Sequence, residues 1–505
     1  MRAHPAGPRH GEFTSNSETS MRVPAPDGQS ELDPGIWPRT AERDAASGSL
    51  VIGGCDIRQL LTDFGSPLFV LDEADFRSRA RQFRKGFGAG ADSSTSDSPN
   101  VYYAAKAFLS VTVARWAFAE GLGIDVSTGG ELACAVRAGV PGSHLIMHGS
   151  NRSVDETRAA IAADVGVIVI DSFEDIAKVA FCANEVGRVQ PVLIRVTVGV
   201  EAHTHEFIAT AHEDQKFGFS IAAGDALEAA RRVVDVPDLR LLGFHSHIGS
   251  QIFVPDGFEL AARRVVAFMA LVRDELGVTT THLDLGGGIG IKYLPADQPL
   301  ALPEFARQVR GWVVEDCEHH DLPSPELMFE PGRAVIGPSM VTAYTVGTVK
   351  PVELDGGEIR TYVSVDGGMS DNIRPALYDA EYTVTLASRV SEAEAMLCRV
   401  VGKHCESGDI VIKDCWLPSD LAVGDVLAVA ATGAYCRAMA SNYNLVPRPG
   451  VVAVSEGRAQ VVLRRETVED LLALDAGLDE PSPSGGREGF ARNGPEGNDS
   501  QGVTE

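Results

Sequence analysis

Short apolar runs alternate with longer amphipathic segments between about residue 100 and residue 340 of the chain. The amphipathic segments, such as 111–120, 226–234 and 258–276, have the length and the 3.6-residue period of helices. The apolar runs have the length of strands, and they cover residues 101–108, 123–128, 145–149, 165–171, 192–198, 241–248, 282–285 and 326–329. Eight such β-α repeats predict an α/β fold whose parallel sheet closes into a (β/α)8 TIM-like barrel.

The pattern changes after about residue 339, where strand-like stretches follow one another without helical segments between them. The stretches are 341–349, 361–365, 381–386, 396–401, 410–412, 426–431, 451–454 and 460–463. They predict a second, all-β domain over residues 341–470, built as a barrel or a sandwich. Residues 45–75 precede the barrel, and we expect them to add strands to this β domain, which leaves residues 76–340 for the barrel domain.

Both ends of the chain have the composition of disordered segments. Residues 1–44 and 477–505 are rich in proline, glycine, serine and charged residues, which gives them little apolar surface to bury. We therefore expect a disordered N-terminal extension and a disordered C-terminal tail. No apolar run in the chain is long enough to span a bilayer, and the first residues lack the apolar core of a secretory signal.

Composition and charge narrow the classes of partner. The 505 residues and the 44% hydrophobic content suffice for two sizeable cores. A formal net charge of −26 argues against binding to nucleic acid or to an anionic membrane surface. The eight cysteines contain no C-x-x-C pair and indicate neither a zinc site nor a disulfide framework, so we expect a reducing, cytoplasmic location.

Reactive side chains fall at the carboxyl ends of the predicted barrel strands, which meet at one mouth of such a barrel. They are Lys106, Asp125, His148, Arg195, His247 and Glu330. Lys106 ends the first apolar run, where desolvation would favour the loss of its proton. A neutral lysine amine at such a mouth can bond covalently to the aldehyde of a cofactor.

Two glycine-containing segments, at the ends of the sixth and seventh runs, can hold a phosphate. Gly249 and Ser250 end the sixth run, and residues 286–288 after the seventh run are all glycine. Backbone N–H groups that no side chain obstructs form an anion nest, and phosphate sites in barrels gather at the late strands. A glycine-rich turn taken alone is more often a tight loop, and it is the consecutive placement of the two segments that favours a phosphate site.

Glu330 and Arg333 place a carboxylate and a guanidinium at the end of the eighth run. A carboxylate that faces a pyridine nitrogen keeps that ring protonated and strengthens it as an electron acceptor, whereas a buried ion pair is the alternative. His245 and His247 lie two apart on a predicted strand and face the same way, as metal ligands in amidohydrolase-type barrels do. The Gly249-Ser250 pair fits phosphate better than metal, and we expect no metal site.

These residues belong to a longer series of motifs whose order along the chain is specific. The motifs are Tyr103-Ala104-Ala105-Lys106-Ala107, residues 125–132, 203–218 and 245–251, Gly286-Gly287-Gly288, Glu330-Pro331-Gly332-Arg333, residues 366–369, 374–378 and 405–409, and Gly433-Ala434-Tyr435. From about residue 67 to residue 467 the chain resembles the diaminopimelate decarboxylases, pyridoxal-phosphate enzymes of the alanine racemase and ornithine decarboxylase fold type. The resemblance implies decarboxylation of meso-2,6-diaminopimelate to L-lysine and CO2, the last step of lysine biosynthesis.

The resemblance implies pyridoxal 5'-phosphate as the cofactor and a role toward it for each motif. It implies that Lys106 bonds to the cofactor aldehyde, that His247 stacks on the ring, and that Glu330 pairs with the pyridine nitrogen. The phosphate-holding groups that it implies are Ser250, Gly287, Gly288, the backbone around Gly332 and Arg333, and the hydroxyl of Tyr435. Asp125 and Arg195 line the pocket in family members, so we expect them near Lys106.

The resemblance also implies the substrate contacts and a homodimer with shared active sites. The substrate-binding set is Arg333, Arg374, Tyr378, Glu406 and Tyr435. Arginine pairs with the distal carboxylate of the substrate, and Glu406 meets the distal ammonium. In the family Cys405 and Glu406 reach the active site of the other subunit, where Cys405 or Lys106 returns a proton to Cα.

Three other functions are alternatives at this point. Ornithine decarboxylases resemble the chain but carry an aspartate after the cysteine, where this chain has Glu406, and an arginine decarboxylase would share the same fold. A non-catalytic regulator would typically have lost Lys106 or Cys405, and both are present. A metal-dependent barrel hydrolase is the third alternative.

Overall fold

The computed structural model of the chain describes residues 30–88, 99–199, 216–354, 357 and 359–479. The predicted disordered ends lie outside these ranges from residue 1 to residue 29 and from residue 480 onward, as does most of the 203–218 motif. Residues 477–479, predicted to belong to the tail, form part of a 3-10 helix, Ala476–Asp479. No helix in the described part of the chain is both long and apolar enough to cross a membrane.

The N-terminal segment forms a small antiparallel sheet and one helix before it joins the main β sheet. Its elements are β1 (Glu42–Arg43), β2 (Leu50–Ile52), β3 (Cys55–Asp56), α1 (Ile57–Phe64) and β4 (Leu68–Asp72). Strand β2 pairs with β1 and β3, whereas β4 is a member of the sheet of the second domain. The segment thus contributes one strand, β4, to that domain, whereas β1, β2 and β3 form a separate small sheet.

The prediction of disorder is wrong for residues 30–44. Ile36 and Trp37 have exposed fractions of 0% and 1%, and they pack in one cluster with Leu50, Val341 and Ala428. Two large apolar side chains bury enough surface to order a short polar segment. The prediction of disorder rested on the average composition of the segment, to which two apolar residues among many polar ones contribute little.

The barrel elements follow the alternating pattern of the sequence. They are α2 (Glu73–Phe87), β5 (Tyr102–Ala104), α3 (Val111–Ala119), β6 (Gly123–Val126), α4 (Gly129–Arg137), β7 (Leu145–Met147), α5 (Val154–Ala162), β8 (Val167–Ile170), α6 (Phe173–Glu185), β9 (Gln190–Thr197), β10 (Phe219–Ser220), α7 (Asp225–Asp235), β11 (Leu239–His245), α8 (Asp256–Leu276), β12 (His282–Asp284), α9 (Leu302–His319) and β13 (Glu326–Met328). The helical layer begins at Glu73, before the expected boundary at residue 76, because Asp72 caps α2.

The predicted TIM-like barrel is confirmed by the pairing of these strands. Eight parallel strands lie in the order β5, β6, β7, β8, β9, β11, β12 and β13, and β10 pairs with β9. A parallel bridge between Val101 and Phe329 joins the end of the sheet to its beginning, so the barrel is nearly closed. The carboxyl ends of the strands therefore surround one mouth.

Polar residues begin several of the helices that follow the barrel strands. The side chains of Ser110, Thr128, Ser153 and Ser172 accept hydrogen bonds from backbone N–H groups in the first turns of α3, α4, α5 and α6. Such caps satisfy N–H groups that the helix itself leaves free. Since each of these helices begins soon after a strand ends, the four loops that precede them are short and hold their side chains near the strand ends.

The second domain is a mixed β sheet with short helices around it, as the strand-rich pattern predicts. The short helix α10 (Arg333–Ile336) ends the barrel domain, and the elements that follow are β14 (Met340–Glu353), β15 (Ile359–Val365), α11 (Arg374–Tyr378), β16 (Val384–Leu386), β17 (Ala395–Val401), β18 (Ile410–Pro418), β19 (Val426–Val429), β20 (Gly450–Ser455), β21 (Arg458–Leu463) and α12 (Val468–Leu472). The strands pair in the order β18, β17, β15, β14, β4, β20 and β21, and β19 pairs with β14 and β16.

The two domains meet at the carboxyl-terminal mouth of the barrel. The backbone N–H of Tyr435, in a loop of the β domain, donates to the carbonyl of Ala107 at 2.8 Å. The hydroxyl of Thr383 donates to the carbonyl of Tyr293, in a barrel loop, at 2.7 Å. Loops of both domains therefore surround the place where the reactive side chains converge.

Candidate active site

Lys106 lies just after β5, in a single 3-10 turn from Ala105 to Ala107. Its side chain lines an open cavity of ≈ 390 Å³ at the barrel mouth. The other lining residues are Ala104, His247, Ser250, Gly287, Gly288, Ile289, Glu330, Pro331, Gly332, Arg333, Ala334 and Tyr435. The cavity thus brings together every residue of the predicted cofactor set except Asp125, whose charge acts on Lys106 from the neighbouring strand.

The protonation of Lys106 differs from the prediction. Desolvation lowers the pKa of Lys106, but Asp125, Tyr435 and Glu330 favour the ammonium form more strongly, so the pKa lies above its ordinary value. The expectation that desolvation frees the amine is therefore wrong for this chain. The physical reason is that the lysine, at the end of an apolar run, lines a cavity with Glu330 in its wall and lies within reach of the charge of Asp125.

Glu330 is held by two histidines, His148 and His245. Nε2 of His148 hydrogen-bonds to Oε1 of the carboxylate, and Nε2 of His245 lies 3.3 Å from Oε2. Burial raises the pKa of Glu330, but the two imidazoles outweigh it, and the pKa lies well below its usual range. Glu330 is therefore an ionised carboxylate in a buried position, with an exposed fraction of 4%.

Two further carboxyl groups lie close to Glu330. Burial raises the pKa of Asp125 to about 6, with His148, 3.8 Å away, opposing the shift and Glu330 adding to it. Burial and the charge of Glu330 also raise the pKa of Asp284 well above its ordinary value, although Asp284 accepts a hydrogen bond from the N–H of Gly286 at 2.7 Å. Burial and Glu330 therefore both favour the uncharged form of Asp284, and Glu330 holds the negative charge that faces the cavity.

Arg195, on β9, adds a cation to this carboxylate group. Desolvation lowers the pKa of Arg195, whereas Glu330, Asp171 and Asp125 favour its charged form. Its guanidinium lies 4.5 Å from the centre of the Phe217 ring. Arg195 thus lies close enough to Glu330 and Asp125 to interact with both charges, on the wall next to Lys106.

The H-x-H pair does not form a shared ligand set. His245 turns to Glu330, whereas Nδ1 of His247 lies 3.3 Å from the N–H of Gly287 and the ring lines the cavity. Within the described ranges, the group that could hold a metal ion is instead His148, His245 and Glu330, whose ligand atoms lie within 4.8 Å of one another. In this structure these atoms hydrogen-bond to each other.

The segment after β12 opens the cavity to an anion at two glycines. A Cβ on Gly287 would lie 2.3 Å from the carbonyl oxygen of Glu330, and one on Gly288 would lie 2.3 Å from that of Gly249. Gly288 also has a φ of 109°, a conformation that other residues rarely adopt. No other residue fits at these positions. Since both glycines line the cavity, no side chain separates their backbone from a bound anion.

Ser250, Arg333 and Tyr435 also line the cavity. Nη2 of Arg333 donates to the Ser250 hydroxyl at 2.9 Å, and its guanidinium lies 4.8 Å from the centre of the Tyr435 ring. Tyr435 has a φ of 64°, a strained backbone conformation of the kind found at functional sites. The alternative of an ion pair between Glu330 and Arg333 does not form, because Glu330 turns to the histidines and Arg333 to hydroxyl groups.

Arg374 lies next to Arg333 without a carboxylate between them. The hydrogen-bond acceptors described for the two guanidinium groups are all hydroxyl oxygens, from Ser250, Tyr293 and Tyr382. Arg374 is 6% exposed. Because buried charges need a partner, two neighbouring guanidinium groups with neutral acceptors form a site for a bound anion.

Cys405, Glu406 and Tyr378 are not brought to the Lys106 cavity within one chain. Cys405 is exposed, and Tyr378 has an exposed fraction of 62%. Glu406 lines a different, open cavity of ≈ 620 Å³ in the β domain. Asp409 holds the loop that contains Cys405 and Glu406, since it accepts the backbone N–H of His404 at 2.7 Å.

Sequence reasoning missed the partners of three site residues. His148 was identified at a strand end, but its contact with Glu330 was not, and the role of His245 was sought in metal binding. Tyr293 and Tyr382, which contact the two arginines, received no role. Tyr293 lies in an irregular segment after β12. Its burial, with an exposed fraction of 6%, is visible in the folded chain and not in the sequence.

Comparisons with known proteins agree with this geometry. Residues 73–337 match the family model described as pyridoxal-dependent decarboxylase, pyridoxal binding domain. The diaminopimelate decarboxylase of Mycobacterium tuberculosis is 54% identical over 448 residues, 88% of this chain and 98% of that protein. The diaminopimelate decarboxylase of Bacillus subtilis is 44% identical over 434 residues, 86% of this chain and 96% of that protein. A crystal structure of the M. jannaschii diaminopimelate decarboxylase with L-lysine has a TM-score of 0.80 and 29% identity, over 87% of this chain and 98% of that chain.

Proposed function

Because this chain belongs to the diaminopimelate decarboxylases, within the pyridoxal-dependent decarboxylase family, we propose a role in their reaction for each group at the barrel mouth. The chain is a carboxy-lyase that converts meso-2,6-diaminopimelate to L-lysine and CO2 with pyridoxal 5'-phosphate. The predicted function is confirmed, and the three alternative functions are not favoured. The residue roles rest on one observation, that Lys106 and Glu330 line the same cavity. The activity itself is tested by measuring the release of lysine by the purified holoenzyme.

The cavity fits the cofactor in three respects. Lys106 offers an amine for the aldehyde, and the ionised Glu330 offers the charge that a protonated ring nitrogen needs. The bare backbone at Gly287 and Gly288, where a Cβ would clash, accommodates a phosphate. The groups that would hold this phosphate are Ser250, Gly287, Gly288, the backbone around Gly332 and Arg333, and the hydroxyl of Tyr435.

Each group near the cofactor then has a defined task. Bound pyridoxal phosphate supplies an aldehyde that takes up amines and a ring that accepts the electron pair left on Cα when CO2 departs. Glu330, which accepts from His148 and His245, is negative and would keep a proton on the ring nitrogen of a bound cofactor. His247 would lie against the ring, and Nζ of Lys106, which is protonated when free, would be the group that returns a proton to Cα.

The substrate has an amino acid group at each end, and we assign its distal end to the arginine pair. Arg333 and Arg374 bind the distal carboxylate, because their charges have only neutral acceptors among the described residues. Tyr435 adds a hydroxyl from the cavity wall, and Tyr378 approaches from the exposed end of α11. Glu406 neutralises the distal ammonium. A carboxylate from elsewhere is needed for this, because Glu330 is the only one among the described lining residues of the Lys106 cavity.

We also propose that two protomers complete each other's cavities. Cys405 and Glu406 are absent from the lining of the Lys106 cavity in their own chain and lie on an exposed loop of the β domain. In a symmetric dimer this loop can reach the other protomer's barrel mouth, where Cys405 gives a proton from Sγ to Cα.

A reducing, cytoplasmic location is supported by the eight free cysteines.

The shared cavity predicts complementation between two inactive variants. When assayed alone, Lys106→Ala should lower kcat by at least about 10,000-fold and Cys405→Ala by about 100-fold or more. After the two variants are unfolded together, mixed and refolded, about one quarter of the wild-type activity should return, because half of the dimers are mixed and each has one intact cavity. The measurement is lysine formation against the mixing ratio, and a mixture that stays as inactive as its components would contradict the shared cavity.

A further inference from the structure

We propose that Tyr293 sets the preference for substrates with a distal carboxylate, because its single hydroxyl holds Arg333 and Arg374 side by side. The proposal rests on the function proposed above for the two arginines. It adds a positioning residue that contacts neither Lys106 nor the glycine segment among the described contacts. What it explains is how two like charges are kept together in the absence of substrate.

The hydroxyl of Tyr293 bridges the two guanidinium groups. Nη1 of Arg333 donates to it at 2.7 Å, and Nη1 of Arg374 donates to it at 3.1 Å. The guanidinium carbons lie 5.9 Å and 5.3 Å from the centre of the Tyr293 ring, so the electron-rich ring also faces both cations. A phenol oxygen accepts two hydrogen bonds, and both acceptor positions are therefore in use.

This arrangement leaves one donor on the Tyr293 hydroxyl. Its own O–H has no acceptor among the hydrogen bonds of the described residues, and it lies between two cations. A carboxylate bound by the arginines can accept this proton as a third hydrogen bond. Since charge-assisted hydrogen bonds are the strong ones, the tyrosine contributes both to the position of the arginines and to the anion itself.

Tyr293 is fixed by contacts from both domains. Its backbone N–H donates to Asp297 at 2.9 Å, and its carbonyl accepts the hydroxyl of Thr383, in the β domain, at 2.7 Å. Its ring meets the Tyr382 ring edge-on at 5.2 Å. Because these contacts fix the residue before substrate arrives, less ordering is left for the binding step, which favours tight and selective binding.

Tyr382 offers a matched control. Its hydroxyl also accepts from Nη1 of Arg374, and it lies 3.5 Å from Sγ of Cys436, but it makes no described contact with Arg333. Tyr382→Phe therefore removes one hydroxyl from Arg374 and leaves the bridge between the arginines. Tyr293→Phe removes the bridge and keeps the ring.

The test compares two ligands that differ by the distal carboxylate alone. L-Lysine and cadaverine are measured as competitive inhibitors of the holoenzymes of the wild type, Tyr293→Phe and Tyr382→Phe. For Tyr293→Phe the Ki of L-lysine and the KM of meso-diaminopimelate should rise about 10- to 100-fold, the size of a lost hydrogen bond to a charged group. The Ki of cadaverine and kcat should stay within about threefold, because neither depends on the distal carboxylate.

For Tyr382→Phe the ratio of the two Ki values should change less than about fivefold, since one neutral hydrogen bond is lost. Cofactor absorbance and the thermal unfolding midpoint, measured on all three proteins, verify that the substitutions preserve the fold. The proposal is overturned if Tyr293→Phe weakens both inhibitors equally, or weakens neither. Failure of the proposed function itself is distinguishable, because then the wild type would not turn over meso-diaminopimelate at all.

Discussion

Replacing Lys106 with alanine is expected to lower kcat for lysine formation by at least about 10,000-fold, the upper end of the range for a lost proton-transfer group. The loss exceeds that of an ordinary binding residue because Nζ serves twice, as the amine that attaches the cofactor and as a proton donor to Cα. The measurement is lysine formation at saturating substrate, with the cofactor content of each preparation determined separately.

A second readout ties this loss to covalent attachment. After borohydride reduction, the intact mass of the wild-type chain should rise by that of the reduced cofactor, whereas Lys106→Ala should show no rise. Lys350→Ala, at an exposed position on β14, is the matched control and should behave like the wild type in both measurements. Activity of Lys106→Ala within about 100-fold of wild type, a loss typical of one general acid or base, would remove the lysine from its assigned place.

Glu330→Gln is expected to lower kcat by roughly 100- to 1,000-fold, as the loss of one preorganised electrostatic partner does. The glutamine amide fills the same space between His148 and His245 but has no charge to keep the ring nitrogen protonated. Because the phosphate and the aldehyde are held elsewhere, cofactor content should stay near that of the wild type. The measurement is kcat together with the absorbance spectrum of the bound cofactor.

The control for this change lies on the strand that precedes Glu330. Glu326, the first residue of β13, is paired with His282 at 3.7 Å, away from the cavity, and Glu326→Gln should leave kcat within about threefold of wild type. Equal kcat values for Glu330→Gln and Glu326→Gln would show that the Glu330 charge has no part in the reaction. The carboxylate would then be a structural partner of the two histidines.

The barrel could be predicted from the sequence because its signal is local. Buried parallel strands are continuous apolar runs, and each is followed by a helix with its own period, so that every repeat is visible without knowledge of the others. The long-range features were not visible in this way. Strand β4 is paired with β14 and β20, and the contacts of Ile36 and Trp37 depend on the same distant strands.

The candidate site was predictable where it follows from strand ends and from backbone shape. Lys106, Glu330 and the glycines at 286–288 lie at strand ends, and a barrel brings such ends together whatever the loops between them do. The pairing of side chains depends on the folded chain. His148 and Glu330 are 182 residues apart, and their contact sets the charge of the carboxylate.

The protonation of Lys106 was also not predictable from local sequence. A lysine at the end of an apolar run suggests a lowered pKa, but the sign of the shift depends on charges from other strands, among them Asp125 and Glu330. Local sequence reports the desolvation and omits these charges. The bridge at Tyr293 was missed for a related reason, because it joins Arg333 of one domain to Arg374 of the other through an irregular segment.

The most direct measurement is a substrate comparison with the purified holoenzyme. CO2 and amine products are quantified after incubation with meso-diaminopimelate, L,L-diaminopimelate, ornithine and arginine, in parallel with Lys106→Ala. We expect L-lysine and CO2 from the meso isomer alone, and no product from the variant. Release of CO2 from ornithine or arginine instead would contradict the substrate assignment, and the absence of turnover despite bound cofactor would contradict the catalytic function.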